Sequence, residues 1–150
     1  MAAGGAPESG ELVLAAEVVR RIERHGRESY PHECCGALIG RDHVVVEAFA
    51  LPNTTEEGPR RRFLVRPADY RAAERRASEA GSELLGFYHS HPDHPARPSQ
   101  YDLDHAWPFF AYVIISVREG QPGDMTSWRL REDRSAFDEE QIRTIWPTKS

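Results

Sequence analysis

His89 and His91 stand two residues apart, and Ser99 and Asp102 follow them in the polar stretch GFYHSHPDHPARPSQYD, residues 86–102. In extended backbone, residues two apart leave the chain on the same face. Both imidazoles can therefore converge on one ion while Ser90 points the other way. A His-x-His pair also occurs as ordinary polar loop chemistry, so a metal site needs a third ligand. Asp102 is the best candidate, because Pro92, Pro95 and Pro98 restrict the path of the chain between it and the histidines.

A local reading competes with this one. Ser99 followed three residues later by Asp102 matches a helix N-terminus, with Ser99 capping the first turn and Asp102 favoured by the helix dipole. Both readings can hold for Ser99. For Asp102 they compete, since its carboxylate would point mainly either at backbone N–H groups or at an ion.

Two neutral imidazoles and one carboxylate suit zinc, and three protein ligands leave a fourth tetrahedral position for water, the catalytic arrangement. Such a centre acidifies water to a pKa of about 7, and amide hydrolysis also needs a group that takes the proton and hands it to the leaving amine. Glu33, in PHECCGALIG, stands just before an apolar strand where burial and a nearby cation could tune it. Spacing alone does not single it out among the acidic residues.

The elements that must position these groups follow from periodicity. ELVLAAEVVRRIERHG carries Leu12, Ala15, Ala16, Val19 and Ile22 at helical spacing, with Gly26 as a stop. GALIG and HVVVEAFAL, parted by Arg41 and Asp42, read as a β-hairpin or consecutive strands, and PNTTEEGPRRR as a loop. FLV begins a short strand, and PADYRAAERRASEAG is a second helix opened by proline and closed by glycine. LLGFYHSH is a strand running into the polar loop, SQYDLDHA a short helix, FFAYVIISV a buried strand and TSWRLRE a further strand. DEEQIRTIW reads as a closing helix. The fold class is therefore α/β, one sheet covered by helices, with residues 1–10 as a flexible tail and 11–150 as one domain.

The histidine-loop pattern resembles the JAMM, or MPN-plus, metalloprotease family, in its small stand-alone prokaryotic form. The likeness rests on His89, Ser90, His91 and Pro92, then Ser99 and Asp102 at the family's spacing, with Glu33 upstream followed by Cys35 and Gly36. It runs from the first helix to FFAYVIISV. The resemblance implies that His89, His91 and Asp102 bind one Zn2+ per chain, that Glu33 acts as general base and then acid, and that Ser99 stabilises the tetrahedral oxyanion. For Asp102 it favours the ion over the cap. The implied fold is a mixed β-sheet flanked by helices with a cytidine-deaminase-like architecture, although the H-x-E and P-C-x-x-C pattern of the zinc deaminases is absent. The implied activity is hydrolysis of a peptide or isopeptide bond after the C-terminal Gly-Gly of a ubiquitin-like or sulfur-carrier protein. An extended Gly-Gly tail could pair with an exposed strand, and glycine permits the closest passage.

Two rival functions remain open: a noncatalytic MPN-type scaffold, and a cysteine hydrolase using Cys35. His94 and His105 are expected to be surface groups, Cys34 and Cys35 small buried residues, and Trp107, Phe109, Phe110, Tyr112, Val113, Ile114 and Ile115 core. A formal charge of −5 and no basic stripe argue against nucleic acid and anionic membranes as partners. Arg60, Arg61 and Arg62 read as a solvated loop or as a contact for an acidic protein. Adjacent cysteines, no signal-peptide pattern and no stretch of transmembrane length point to the cytoplasm.

Overall fold

The computed structural model describes residues 10–52 and 65–146. Among these residues seven strands form a mixed sheet in the order β1-β3-β2-β4-β5-β6-β7, closed by pairing of β7 with β1. They are β1 (Glu11–Ala15), β2 (Cys35–Arg41), β3 (Val44–Leu51), β4 (Glu83–Pro92), β5 (Ala111–Arg118), β6 (Gln121–Leu130) and β7 (Phe137–Ile145). Three helices join them: α1 (Ala16–Ser29), α2 (Pro67–Glu79) and α3 (Gln100–His105). β4 and β5 run parallel, as do β1 with β3 and β1 with β7, whereas β2 pairs antiparallel with both β3 and β4. The expected mixed α/β sheet is therefore present. Among the described residues no helix is long and apolar enough to cross a membrane.

Alternation along β4 splits the molecule into two cores. Tyr88 faces one cluster with Val18 and Ile22 of α1 and Val113 and Ile115 of β5. Phe87 faces the other, with Cys35, Ala73 of α2 and Tyr112. His89 and His91 continue the Phe87 face by period two, so α1 packs on one side of the sheet and the histidines emerge on the other. The hairpin between β2 and β3 turns through Asp42 and His43, both at positive φ (52° and 65°), the backbone of a two-residue type I′ turn.

Four expectations need correction. The first helix begins at Ala16 rather than near Leu12, because Leu12 and Leu14 alternate into the core as a strand bonded to β3 and β7. Tertiary ladder partners outweigh the local helical spacing there. The same helix passes Gly26 and ends at Ser29. Gly26 is instead a close-packing position: a Cβ there would lie 3.0 Å from Val117 Cγ2. DEEQIRTIW is strand rather than helix, with Glu140 and Ile142 on the inner side, and its pairing with β6 and β1 closes the barrel. Phe109 is not core but 80% exposed, because its φ of 71° turns the chain immediately before β5. The Arg60–Arg62 run, Phe63 and Leu64 of the FLV segment and most of the first ten residues lie outside the described residues.

Candidate functional site

β4 delivers His89 and His91 to one point. Their Nε2 atoms are 3.2 Å apart, and each lies 3.4 Å from Oδ2 of Asp102. Ligands around a small tetrahedral cation at zinc-like distances stand roughly 3.3 Å apart. Among the described residues these three form the group of histidine, cysteine and acidic side chains able to hold a metal ion.

The protonation pattern supports the same use. His91 Nδ1 sits 2.9 Å from the carbonyl of Pro95. A carbonyl only accepts, so Nδ1 carries hydrogen, which leaves Nε2 as the atom that a neutral ring would offer to a cation. Burial lowers the pKa of His89 against the opposing pull of Asp102, which keeps that ring neutral near pH 7. Two imidazole nitrogens and a carboxylate oxygen at such separations repel one another unless a proton or a cation lies among them. The donor set and its tautomers thus fit a divalent metal.

Asp102 resolves the competition between cap and ligand in an unexpected way. Its Oδ2 accepts the Ser99 N–H at 2.8 Å, and the Asp102 N–H donates to Ser99 Oγ at 3.1 Å. This is a complete capping box, yet the same Oδ2 faces both imidazoles. A carboxylate oxygen has two lone-pair directions, so accepting the Ser99 N–H leaves one free to face the imidazoles. The cap fixes the rotamer that presents Asp102 to the histidines. Burial is the largest influence on its carboxyl and pushes the pKa up, but His89, His91 and the Ser99 N–H together hold it well below the usual range. Ser99 Oγ accepts one bond within the box, and its own hydroxyl hydrogen is available to another oxygen.

The loop between the histidines and α3 is tied to the sheet by side chains that spacing did not reveal. Ser116 Oγ donates to the His94 carbonyl at 2.7 Å and Thr126 Oγ1 to the Ala96 carbonyl at 2.7 Å. The Asp93 N–H reaches the Val117 carbonyl at 2.8 Å. These bonds, with the His91 contact to Pro95, restrict the loop that the prolines were expected to stiffen. Serine and threonine in β5 and β6 carry no distinctive sequence signal for this role.

Glu33 reaches the same end of the sheet by register. Cys35 pairs with His89, and Cys34 exchanges two bonds with Ser90, one of them to the Ser90 hydroxyl, so the segment carrying Glu33 enters β2 at the end of the sheet where β4 presents its histidines. Its side chain is buried. His94 and His105 are exposed and outside the donor group; His105 stacks on Tyr101 with ring centroids 4.0 Å apart. Cys35 is buried, and burial pushes both thiols up, Cys34 to about 11. Neither is a nucleophile at neutral pH.

A family model described as prokaryotic homologs of the JAB domain matches residues 15–131. A desampylase of Haloferax volcanii is 35% identical over 115 residues, covering 72% of this chain and 82% of its own length. A probable TtuB-protein conjugate cleaving protease of Thermus thermophilus is 30% identical over 106 residues, covering 71% of this chain and 70% of its own. The solution structure of a Desulfitobacterium hafniense protein superposes with a TM-score of 0.79 at 31% identity, spanning 91% of this chain and 94% of its own.

Proposed function

The chain belongs to the prokaryotic homologs of the JAB domain, and from that premise we propose that it is a zinc-dependent metallopeptidase. Its substrate is a peptide or isopeptide bond that follows the C-terminal Gly-Gly of a ubiquitin-like or sulfur-carrier protein. The observation that carries this reading is the meeting of His89 Nε2, His91 Nε2 and Asp102 Oδ2 within 3.2–3.4 Å of one another. The similarity to proteins named for desampylation and for conjugate cleavage supports the substrate class.

In this reading His89, His91 and Asp102 hold the metal. When bound, zinc polarises the scissile carbonyl and acidifies a water to near neutrality. The chain's own groups do the rest. The Glu33 carboxylate takes the proton from the attacking water and returns it to the departing amine. The Ser99 hydroxyl, its oxygen already accepting from Asp102, donates to the carbonyl oxygen as charge develops there. Pro95 holds the His91 tautomer, and the capping box holds Asp102. We also assign the chain the cytidine-deaminase-like arrangement of the sheet with its flanking helices.

The test is to purify the protein, count zinc per chain, and incubate it with carriers extended past Gly-Gly, weighing the products by mass spectrometry. About one zinc and a product ending at Gly-Gly are expected. Glu33→Gln should keep zinc and lose about 100- to 10,000-fold in rate. Uncut carriers across several fusions would favour the scaffold reading instead.

A further inference from the structure

Glu33 comes from the turn between α1 and β2, whereas the histidines come from β4, so something must fix one segment against the other. The segment is pinned at both ends. At Cys34 the N–H donates to Ser90 Oγ at 2.9 Å, and the Ser90 N–H donates to the Cys34 carbonyl at 3.0 Å. At the other end the Tyr30 hydroxyl donates to Asp93 Oδ2 at 2.6 Å. Ser90 and Asp93 flank His91, and Cys34 and Tyr30 flank Glu33.

Asp93 is itself held from three sides. Its Oδ1 accepts the Glu119 N–H at 2.8 Å, its own N–H donates to the Val117 carbonyl at 2.8 Å, and it adopts a φ of 59°. Aspartate tolerates that left-handed backbone better than most residues. The Tyr30 ring lies near Gly120, where a Cβ would stand 3.8 Å from its Cδ2. Glu119 and Gly120 are both at positive φ, 49° and 83°, in the turn joining β5 to β6. One aspartate thus ties the Glu33 segment, the histidine strand and that turn together.

From this we infer that Tyr30 and Asp93 are positioning residues: the bond from the Tyr30 hydroxyl to Asp93 sets where the Glu33 carboxylate stands relative to the histidines. Neither residue belongs to the His89, His91 and Asp102 donor group. A bond of this kind acts on the chemical step rather than on binding, because proton transfer falls steeply with small misplacement of the base.

The inference rests on the proposed proton-transfer role of Glu33, and the experiment separates the two. Tyr30→Phe removes only the hydroxyl. We expect it to keep about one zinc and an unchanged KM for a carrier extended past Gly-Gly, with kcat down about tenfold. Asp93→Asn keeps an acceptor for Glu119 and should show the same split with a smaller loss, and the double variant should be no slower than Tyr30→Phe. In the metal-free protein, amide exchange at residues 32–34 should quicken in Tyr30→Phe while Ile114 and Ile115 stay protected. If wild type cleaves and Tyr30→Phe matches it within about twofold, or loses zinc in step with rate, the positioning role falls alone. If wild type binds zinc but cleaves no extended carrier, the Glu33 reading falls and takes this inference with it.

Discussion

Ser90 and Cys34 exchange two hydrogen bonds across the sheet, the Cys34 N–H to Ser90 Oγ at 2.9 Å and the Ser90 N–H to the Cys34 carbonyl at 3.0 Å. Both residues are buried, and Ser90 stands between the two histidines. Removing the hydroxyl strands the Cys34 N–H without water. Ser90→Ala should therefore cost about 1–3 kcal/mol of stability, seen as a drop of a few degrees or more in Tm. Zinc content should hold, because neither of the proposed histidine ligands is altered. An unchanged melting curve in Ser90→Ala would show that the Cys34 N–H finds another acceptor.

Asp102 caps α3 through the same oxygen that faces His89, and the cap can be separated from the proposed ligand role by substitution. Asp102→Asn preserves an acceptor for the Ser99 N–H but removes the anion. Its fold should stay close to wild type while zinc affinity falls about 100-fold or more. Asp102→Ala should lose both, adding about 1 kcal/mol of helix destabilisation. Competition with a chromogenic chelator, read beside thermal unfolding of the metal-free proteins, distinguishes them. Equal zinc affinity in Asp102→Asn and wild type would remove Asp102 from the ligand set.

Much of this site was legible because its parts are local. His89, His91, Ser99 and Asp102 lie within one segment, and period-two and capping rules apply directly to it. Glu33 is different: it precedes β2, whose antiparallel pairing with β4 is non-local and encoded by no spacing, and only the family resemblance singles it out. The same limit explains the two misread elements. Leu12 and Leu14 and the DEEQIRTIW segment become strands because they bond to each other's neighbourhood across the closure of the barrel, 130 residues apart at Glu11 and Gln141. Ile142 and Ile145 have a spacing compatible with a helix, and only the closing partner decides between helix and strand. Asp93 carries no distinguishing sequence signal, because its partners Tyr30 and Glu119 fold in from elsewhere.

The buried thiols give a test of mechanism. Burial raises Cys34 to about 11 and pushes Cys35 higher still. At about pH 8 the thiolate fraction of Cys34 is on the order of one in a thousand. Native protein should resist iodoacetamide at that pH, with no mass shift and no loss of activity, and Cys35→Ser should remain active. Rapid alkylation accompanied by loss of hydrolysis would restore the cysteine mechanism.

His25 provides a pH signature on the opposite face of the sheet. Its Nδ1 lies 2.7 Å from the hydroxyl of Tyr88, which is fully buried in the core cluster that includes Val18 and Ile22 of α1. Burial is the main influence and lowers the His25 pKa below 6.5; Glu28 opposes this and Arg21 adds to it. Above about 6.5 both folded and unfolded chains hold the ring neutral, and its contribution to stability is fully present. As the pH falls below that value, the unfolded chain takes up a proton that the folded chain resists, so stability declines. His25→Gln removes this linkage while the carboxylates and the other histidines titrate in both proteins. Urea denaturation of the metal-free proteins between about pH 7.5 and about pH 5 should show the wild-type midpoint falling more steeply than that of the variant. Parallel curves would mean that His25 titrates alike in both states, and a steeper fall in the variant would reverse the sign assigned to its burial.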